Sequence, residues 1–134
     1  MRYALLIYET PELFERRKVY DGDEPMLGAW REYYHALVDA GIYIGGEPLH
    51  PPETGTTVRI RKGGRDIQDG PYANTKEQLA GFMILELPSL DAAIDWAARC
   101  PAAAFGALEV RPLAEDVKDV IERHEQRHDA NRAR

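Results

Sequence analysis

The stretch that decides the fold is Phe82-Met83-Ile84-Leu85-Glu86-Leu87. Its length suits a single strand, and successive residues of a strand point to opposite faces of the sheet. Apolar residues fall on both faces of this strand. A sheet built around it therefore needs cover on both sides.

Two segments outside this strand are predicted to form helices that cover one face. Met26 to Val38 carry apolar residues at helical spacing, and Gly41 stands where a C-terminal glycine would end that helix. Leu90 to Ala98 repeat the pattern, and Pro101 ends it. Because two helices can cover only one face, the other face predicts sheet-to-sheet dimerisation.

The remaining strands follow from short apolar or alternating runs bounded by turn residues. They are predicted at Tyr3 to Tyr8, at Ile42 to Ile44 with a stop at Gly45-Gly46, at Ala107 to Arg111, and as a hairpin of Thr56 to Arg61 with Asp66 to Gln68. The charged stretch Glu12 to Glu24 is expected to be a surface loop, and Thr75 to Leu79 one helical turn.

This order of elements predicts an α+β fold of split βαβ type with helices on one face of the sheet. We expect one domain over residues 1–113 and a charged C-terminal helix with a disordered tail over residues 114–134. The apolar stripe of that helix is Val117, Val120 and Ile121.

Composition and charge argue against several classes of protein. The 134 residues include 17 Lys+Arg and 23 Asp+Glu, a net charge of −6, which argues against a surface for nucleic acid. The apolar run near the N-terminus is too short for a signal peptide or a membrane span. Cys100 is the only cysteine, so no disulfide can form within the chain. We expect a cytoplasmic protein.

A motif in the middle of the chain indicates a resemblance to a known family. At Asp69-Gly70-Pro71-Tyr72, followed by Thr75 to Leu79 and Gly81, the chain resembles the YCII-related family, in particular its branch named for an Asp-Gly-Pro-Phe (DGPF) motif. The resemblance runs from Tyr3 to Pro112. Tyr72 stands where that branch has phenylalanine, and Asn74 where it usually has glutamate.

The resemblance implies a dimeric α+β barrel, in which two ferredoxin-like subunits pack their sheets together and leave clefts between sheet and helices. It implies no single activity. Some relatives in the superfamily are lyases or isomerases on small ring compounds, and genes of this branch often neighbour extracytoplasmic-function sigma factors. Analogy of fold is an associational argument.

The candidate catalytic residues are Asp69, Tyr72 and Lys76. In the functional interpretation, Asp69 acts as a general acid or base beside a cleft, with the tyrosine and the lysine nearby. In the structural interpretation, the motif is a rigid turn whose aspartate caps backbone amides.

A second set of residues is a candidate for binding a polar or carboxylated ligand. Glu47 and Arg59 come from neighbouring segments, and Glu109 and Arg111 lie on the same side of the last strand. Ion pairs that hold strand ends together are the structural alternative.

His124-Glu125-Gln126-Arg127-His128 matches the H-E-x-x-H pattern of zinc proteases. Only six residues follow His128, so the third ligand that such sites usually take well downstream is missing. We expect no metal site, and since the sequence has no phosphate-binding or dinucleotide-binding loop, no cofactor. Cys100 is expected to be a small packing residue.

The sequence thus predicts a homodimer that binds a small cyclic or aromatic molecule. Proton-transfer chemistry of isomerase or lyase type suits Asp69, Tyr72 and Lys76 better than redox chemistry or hydrolysis. The alternative is a non-catalytic regulatory or interaction module linked to an extracytoplasmic-function sigma-factor system.

Overall fold

The structure is a computed structural model that describes residues 1–17 and 25–133. The strands of this part are β1 (Arg2–Glu9), β2 (Tyr43–Pro48), β3 (Thr56–Arg61), β4 (Gly64–Asp69), β5 (Gln78–Glu86) and β6 (Ala107–Pro112). Its α-helices are α1 (Pro11–Arg17), α2 (Pro25–Asp39), α3 (Leu90–Arg99) and α4 (Glu115–Arg132).

Four strands form one sheet in the order β2-β5-β1-β6, and every neighbouring pair is antiparallel. The connection from β1 to β2 contains α2, and the connection from β5 to β6 contains α3. The predicted α+β class is confirmed, and the strand order is that of a split βαβ sheet.

The core lies between one face of this sheet and the helices. Leu5 of β1, Leu37 of α2 and Leu85 of β5 are its fully buried large side chains. On the opposite face, Ala4 pairs with Ile84 and Leu6 with Phe82, and these four side chains remain partly exposed. The single chain therefore buries only one side of its central strands.

The helix ends follow from local chemistry. Ser89 accepts a hydrogen bond from the Ala92 amide and caps α3 at its N-terminus. Gly41 has a φ of +72°, and its amide donates to the Val38 carbonyl just beyond the end of α2. The C-terminal glycine predicted for this helix is therefore confirmed.

The strands β3 and β4 form a separate two-stranded sheet, as the hairpin prediction states. Lys62 and Gly63 both have positive φ at its tip, which is the geometry of a tight hairpin turn. Val58 pairs with Ile67 on one side of this hairpin, and both are more than half exposed.

Three local predictions were wrong. The first half of the expected loop Glu12 to Glu24 is α1, which buries Leu13 and Phe14; residues 18–24 lie outside the described part of the chain. The expected helical turn Thr75 to Leu79 is absent, because β5 already begins at Gln78. The strand expected to stop at Gly45-Gly46 continues to Pro48.

The helix α4 carries no buried residue among those described. Its apolar stripe of Val117, Val120 and Ile121 is about half exposed. It continues to Arg132, and the predicted division of the chain between residues 113 and 114 stays a prediction. No helix in residues 1–17 and 25–133 is both long and apolar enough to cross a membrane.

Candidate functional site

A cavity of about 390 Å³ lies between α2 and the β2 and β5 side of the sheet. Its walls are mainly aromatic and aliphatic, with Trp30, Tyr33, Tyr34, Leu37, Tyr43 and Met83 among them. Small-ligand sites are usually concave and apolar, with a few polar groups that orient the ligand. This cavity has that character.

The aromatic wall is ordered by ring contacts. Trp30 and Tyr33 pack edge to face with 6.1 Å between ring centroids, and Tyr34 and Tyr43 do so at 5.1 Å. The Tyr33 hydroxyl donates to the Trp96 carbonyl at 2.7 Å. Burial raises the pKa of Tyr33 well above its ordinary value, so its hydroxyl stays protonated and serves as a structural donor.

The polar end of the cavity is an ion pair. Glu9 is only 6% exposed, and its Oε2 lies 3.0 Å from Nη2 of Arg17. Arg17 also donates to the carbonyls of Leu49 at 2.6 Å and Ala80 at 3.1 Å, and its guanidinium lies 4.9 Å from the centre of the Phe14 ring. The buried carboxylate is thus held by a cation that is itself fixed on several sides.

The sequence around this pair explains its position. Tyr3, Leu5 and Ile7 alternate towards the core, and Glu9 is the next residue on that face of β1. Thr10 then caps α1 through a hydrogen bond from the Leu13 amide. One short helix consequently carries Arg17 back to the end of the strand that bears Glu9.

Close backbone approach between β2 and β5 shapes another side of the cavity. A Cβ on Gly46 would lie 2.5 Å from the Phe82 carbonyl oxygen, and one on Gly81 would lie 2.8 Å from the Glu47 carbonyl oxygen. Both distances are too short for a side chain. The glycines that seemed to end a strand instead allow two strands to pair closely.

The predicted catalytic residues Asp69, Tyr72 and Lys76 are all exposed, and none of them lines the cavity. Asp69 ends β4, and Gly70 follows with a φ of +101°. The Gly70 amide donates to the Gly55 carbonyl at 2.8 Å. The Asp-Gly-Pro-Tyr turn therefore closes the base of the β3–β4 hairpin.

The predicted binding residues are divided among three places. Glu47 lines the cavity. Arg59 lies over the Tyr72 ring, 4.8 Å from its centre. Glu109 and Arg111 form an ion pair on the exposed side of β6, and the hydrogen bond between them raises the pKa of Arg111. The structure brings Arg59 to Tyr72 and Glu109 to Arg111, and it does not gather all four residues into one site.

The other candidate groups lie outside the cavity. In residues 1–17 and 25–133, no three His, Cys, Asp or Glu residues come close enough together to hold a metal ion. His124 and His128 lie on the exposed helix α4. Cys100 is buried, and burial raises the pKa of its thiol to about 12, so it stays protonated at neutral pH.

Sequence reasoning missed Glu9 and Arg17. The available signal was Thr10-Pro11, a capping residue followed by a proline suited to the first position of a helix. A helix there would have brought the arginine back to the glutamate. Charged residues around Leu13 and Phe14 concealed that helix.

The fold and the cavity define a small α+β domain with a ligand-sized cleft between sheet and helix. The chain belongs to the YCII-related domain family, whose model matches residues 1–116. It is 36% identical over 116 residues to an uncharacterised protein of Rhizobium meliloti (strain 1021), with 85% of this chain and 93% of that protein covered.

A solved structure also resembles this one. It is the 5-chloro-2-hydroxyhydroquinone dehydrochlorinase TftG from Burkholderia phenoliruptrix AC1100, in complex with 2,5-dihydroxybenzoquinone. The two structures superpose with a TM-score of 0.49 at 17% sequence identity, over 84% of this chain and 93% of that chain.

Proposed function

We propose that this protein is a cytoplasmic homodimer that binds a small cyclic or aromatic molecule in the cavity between α2 and the sheet. The observation that carries the proposal is the cavity itself: apolar, aromatic-walled, about 390 Å³ in volume and with the Glu9–Arg17 pair in its lining. A single ring fits such a volume, and the ion pair provides orientation.

We propose a chemical step at a second place, the base of the hairpin, which lies outside the cavity. Asp69, Tyr72 and Lys76 are the groups assigned to proton transfer of isomerase or lyase type. Tyr72 replaces the phenylalanine of the DGPF branch, to which we assign the chain, and its ring is held under Arg59. Of the residues expected to bind a polar ligand, Glu47 is proposed for the cavity, Arg59 for the base of the hairpin, and Glu109 with Arg111 for the exposed side of β6.

The homodimer is supported by the uncovered face of the sheet. Leu6, Phe82 and Ile84 lie side by side there and remain partly exposed in the single chain. Packing this face against the same face of a second copy would remove a continuous apolar surface from water.

The alternative is a non-catalytic interaction module that serves a sigma-factor system. The observation that favours it is the hairpin, where Val58, Ile60 and Ile67 are 60%, 66% and 57% exposed. Exposed β-branched residues on a projecting hairpin are suited to contact with another protein.

Thermal-shift screening with ring lactones, catechols and hydroxyquinones separates the two functions, because a ligand that binds only the folded state raises the melting temperature. Leu27→Trp, which places a large ring in the cavity wall, should abolish the ligand-induced rise. Leu90→Trp makes the same change at an exposed position on α3 and should preserve it. No rise with any compound would favour the interaction module.

A further inference from the structure

We propose that the cavity selects a ring that bears a neutral hydroxyl group and rejects a ring that bears a carboxylate. This inference rests on the proposed function and specifies the ligand class of the same site. It follows from the charges and contacts at the polar end of the cavity, where Glu9 and Arg17 both contribute to the lining.

The positive charge of Arg17 is already engaged. Its Nη2 lies 3.0 Å from Oε2 of Glu9, and its two terminal nitrogens donate to the carbonyls of Leu49 and Ala80. A ligand carboxylate would lie beside Arg17, whose positive charge is already balanced by the buried carboxylate of Glu9. A bound carboxylate would therefore place a second negative charge beside a guanidinium that carries only one positive charge.

The negative charge of Glu9 acts directly against an anionic ligand. Glu9 is 6% exposed, so water screens its charge poorly. Two carboxylates in such a place repel each other strongly. A cationic ligand would meet the guanidinium of Arg17 at the same end.

A neutral hydroxyl avoids both problems. It donates its hydrogen to the carboxylate of Glu9 and accepts a hydrogen bond from an arginine N–H, so it uses both charges without adding one. The rings of Trp30, Tyr34 and Tyr43 provide an apolar surface for the rest of the molecule. Phenols, enols and hydroxylated rings have this combination of groups.

The test compares para-cresol with benzoate, which are similar in size and differ in charge at neutral pH. Calorimetric titration of the wild-type protein should give para-cresol a dissociation constant at least about tenfold lower than that of benzoate. Glu9→Gln should weaken para-cresol and strengthen benzoate, because Arg17 then keeps an unbalanced positive charge. The ratio of the two constants should move by about 10² or more.

Glu122→Gln is the matched control, since it makes the same chemical change in an exposed ion pair with Lys118 on α4, outside the cavity. It should leave both constants unchanged. Should Glu9→Gln fail to fold, the ratio measured in the wild-type protein decides alone.

Two results would overturn the inference, and only the second of them also bears on the proposed function. If benzoate binds the wild-type protein as tightly as para-cresol, charge selection is wrong and the proposed ring-binding function stands. If neither compound binds at millimolar concentration, the inference fails; should the wider set of ring compounds fail as well, the proposed function fails with it.

Discussion

Arg17 on α1 reaches across to Glu9 at the end of β1, with 3.0 Å between Nη2 and Oε2. The contact joins a seven-residue helix to the central sheet at the edge of the cavity. The charged partners are 24% and 8% exposed in their side chains, so this pair belongs to the interior rather than to the surface.

Arg17→Met should destabilise the protein by about 2–4 kcal/mol, because removal of one partner leaves a buried carboxylate without its counter-charge. Urea unfolding followed by circular dichroism measures this loss. The control is Lys118→Met, which breaks an exposed pair with Glu122 on α4 and should produce no detectable change.

A double-mutant cycle completes this test. Glu9→Gln combined with Arg17→Met removes both charges, so the double variant should be less destabilised than the sum of the single variants. Equal unfolding midpoints for Arg17→Met and Lys118→Met would contradict the structural importance of the pair.

Two adjacent glycines should respond in opposite ways to the same substitution. Gly46→Ala should cost about 1–3 kcal/mol or more, because the new Cβ would lie 2.5 Å from the Phe82 carbonyl oxygen. Gly45→Ala should be nearly neutral, since no heavy atom beyond its chain neighbours lies within 4 Å of the new Cβ. Thermal unfolding measures both, and equal losses would show that β2 does not pair with β5 as described.

Asp69→Asn should separate a structural aspartate from a catalytic one. Asparagine keeps an acceptor and cannot ionise, and Asp69 is exposed, so the melting temperature should stay near that of the wild type. The proton-transfer proposal predicts that turnover of any substrate found in the ring-compound screen falls by about 10² or more.

Tyr72→Phe is the companion variant, because it restores the residue of the DGPF branch. It should fold normally and retain the ring beneath Arg59. An unfolded Asp69→Asn protein, together with a folded Asp69→Ser protein, would mean that the turn needs only a short acceptor and would remove Asp69 from the proposed chemistry.

Multi-angle light scattering at micromolar concentration should give twice the chain mass of 15.2 kDa. Ile84→Arg introduces a charge on the uncovered sheet face and should produce a folded monomer. Val120→Arg on the exposed helix α4 is the control and should leave the dimer intact. A stable wild-type monomer would refute the proposed sheet-to-sheet interface.

Helices and strands whose own residues show a local pattern could be predicted from the sequence. Helical spacing and a terminal glycine marked α2, and alternation around a tight turn marked β3 and β4. Apolar residues on both faces of β5 also indicated that the helices would leave one face of the sheet uncovered. In each case the pattern and the packing depend on the same few residues.

Features that depend on contacts between distant segments could not be predicted in the same way. From the sequence alone, Gly45-Gly46 predicts the end of a strand. In the structure, a glycine is needed at position 46 because the backbone of Phe82, far along the chain, lies close to it. The polar end of the cavity requires Arg17 to contact Ala80 and Leu49 as well as Glu9. No local pattern contains that information. The functional interpretation of the sequence therefore rests on the motif residues around Asp69.

A crystal structure of the protein grown with para-cresol tests the central claim most directly. The account predicts the ring between α2 and the sheet, with its hydroxyl oxygen about 2.5–3.0 Å from a carboxylate oxygen of Glu9. Density for the ring only on the uncovered sheet face or along α4, with the cavity unoccupied at saturating ligand, would contradict it.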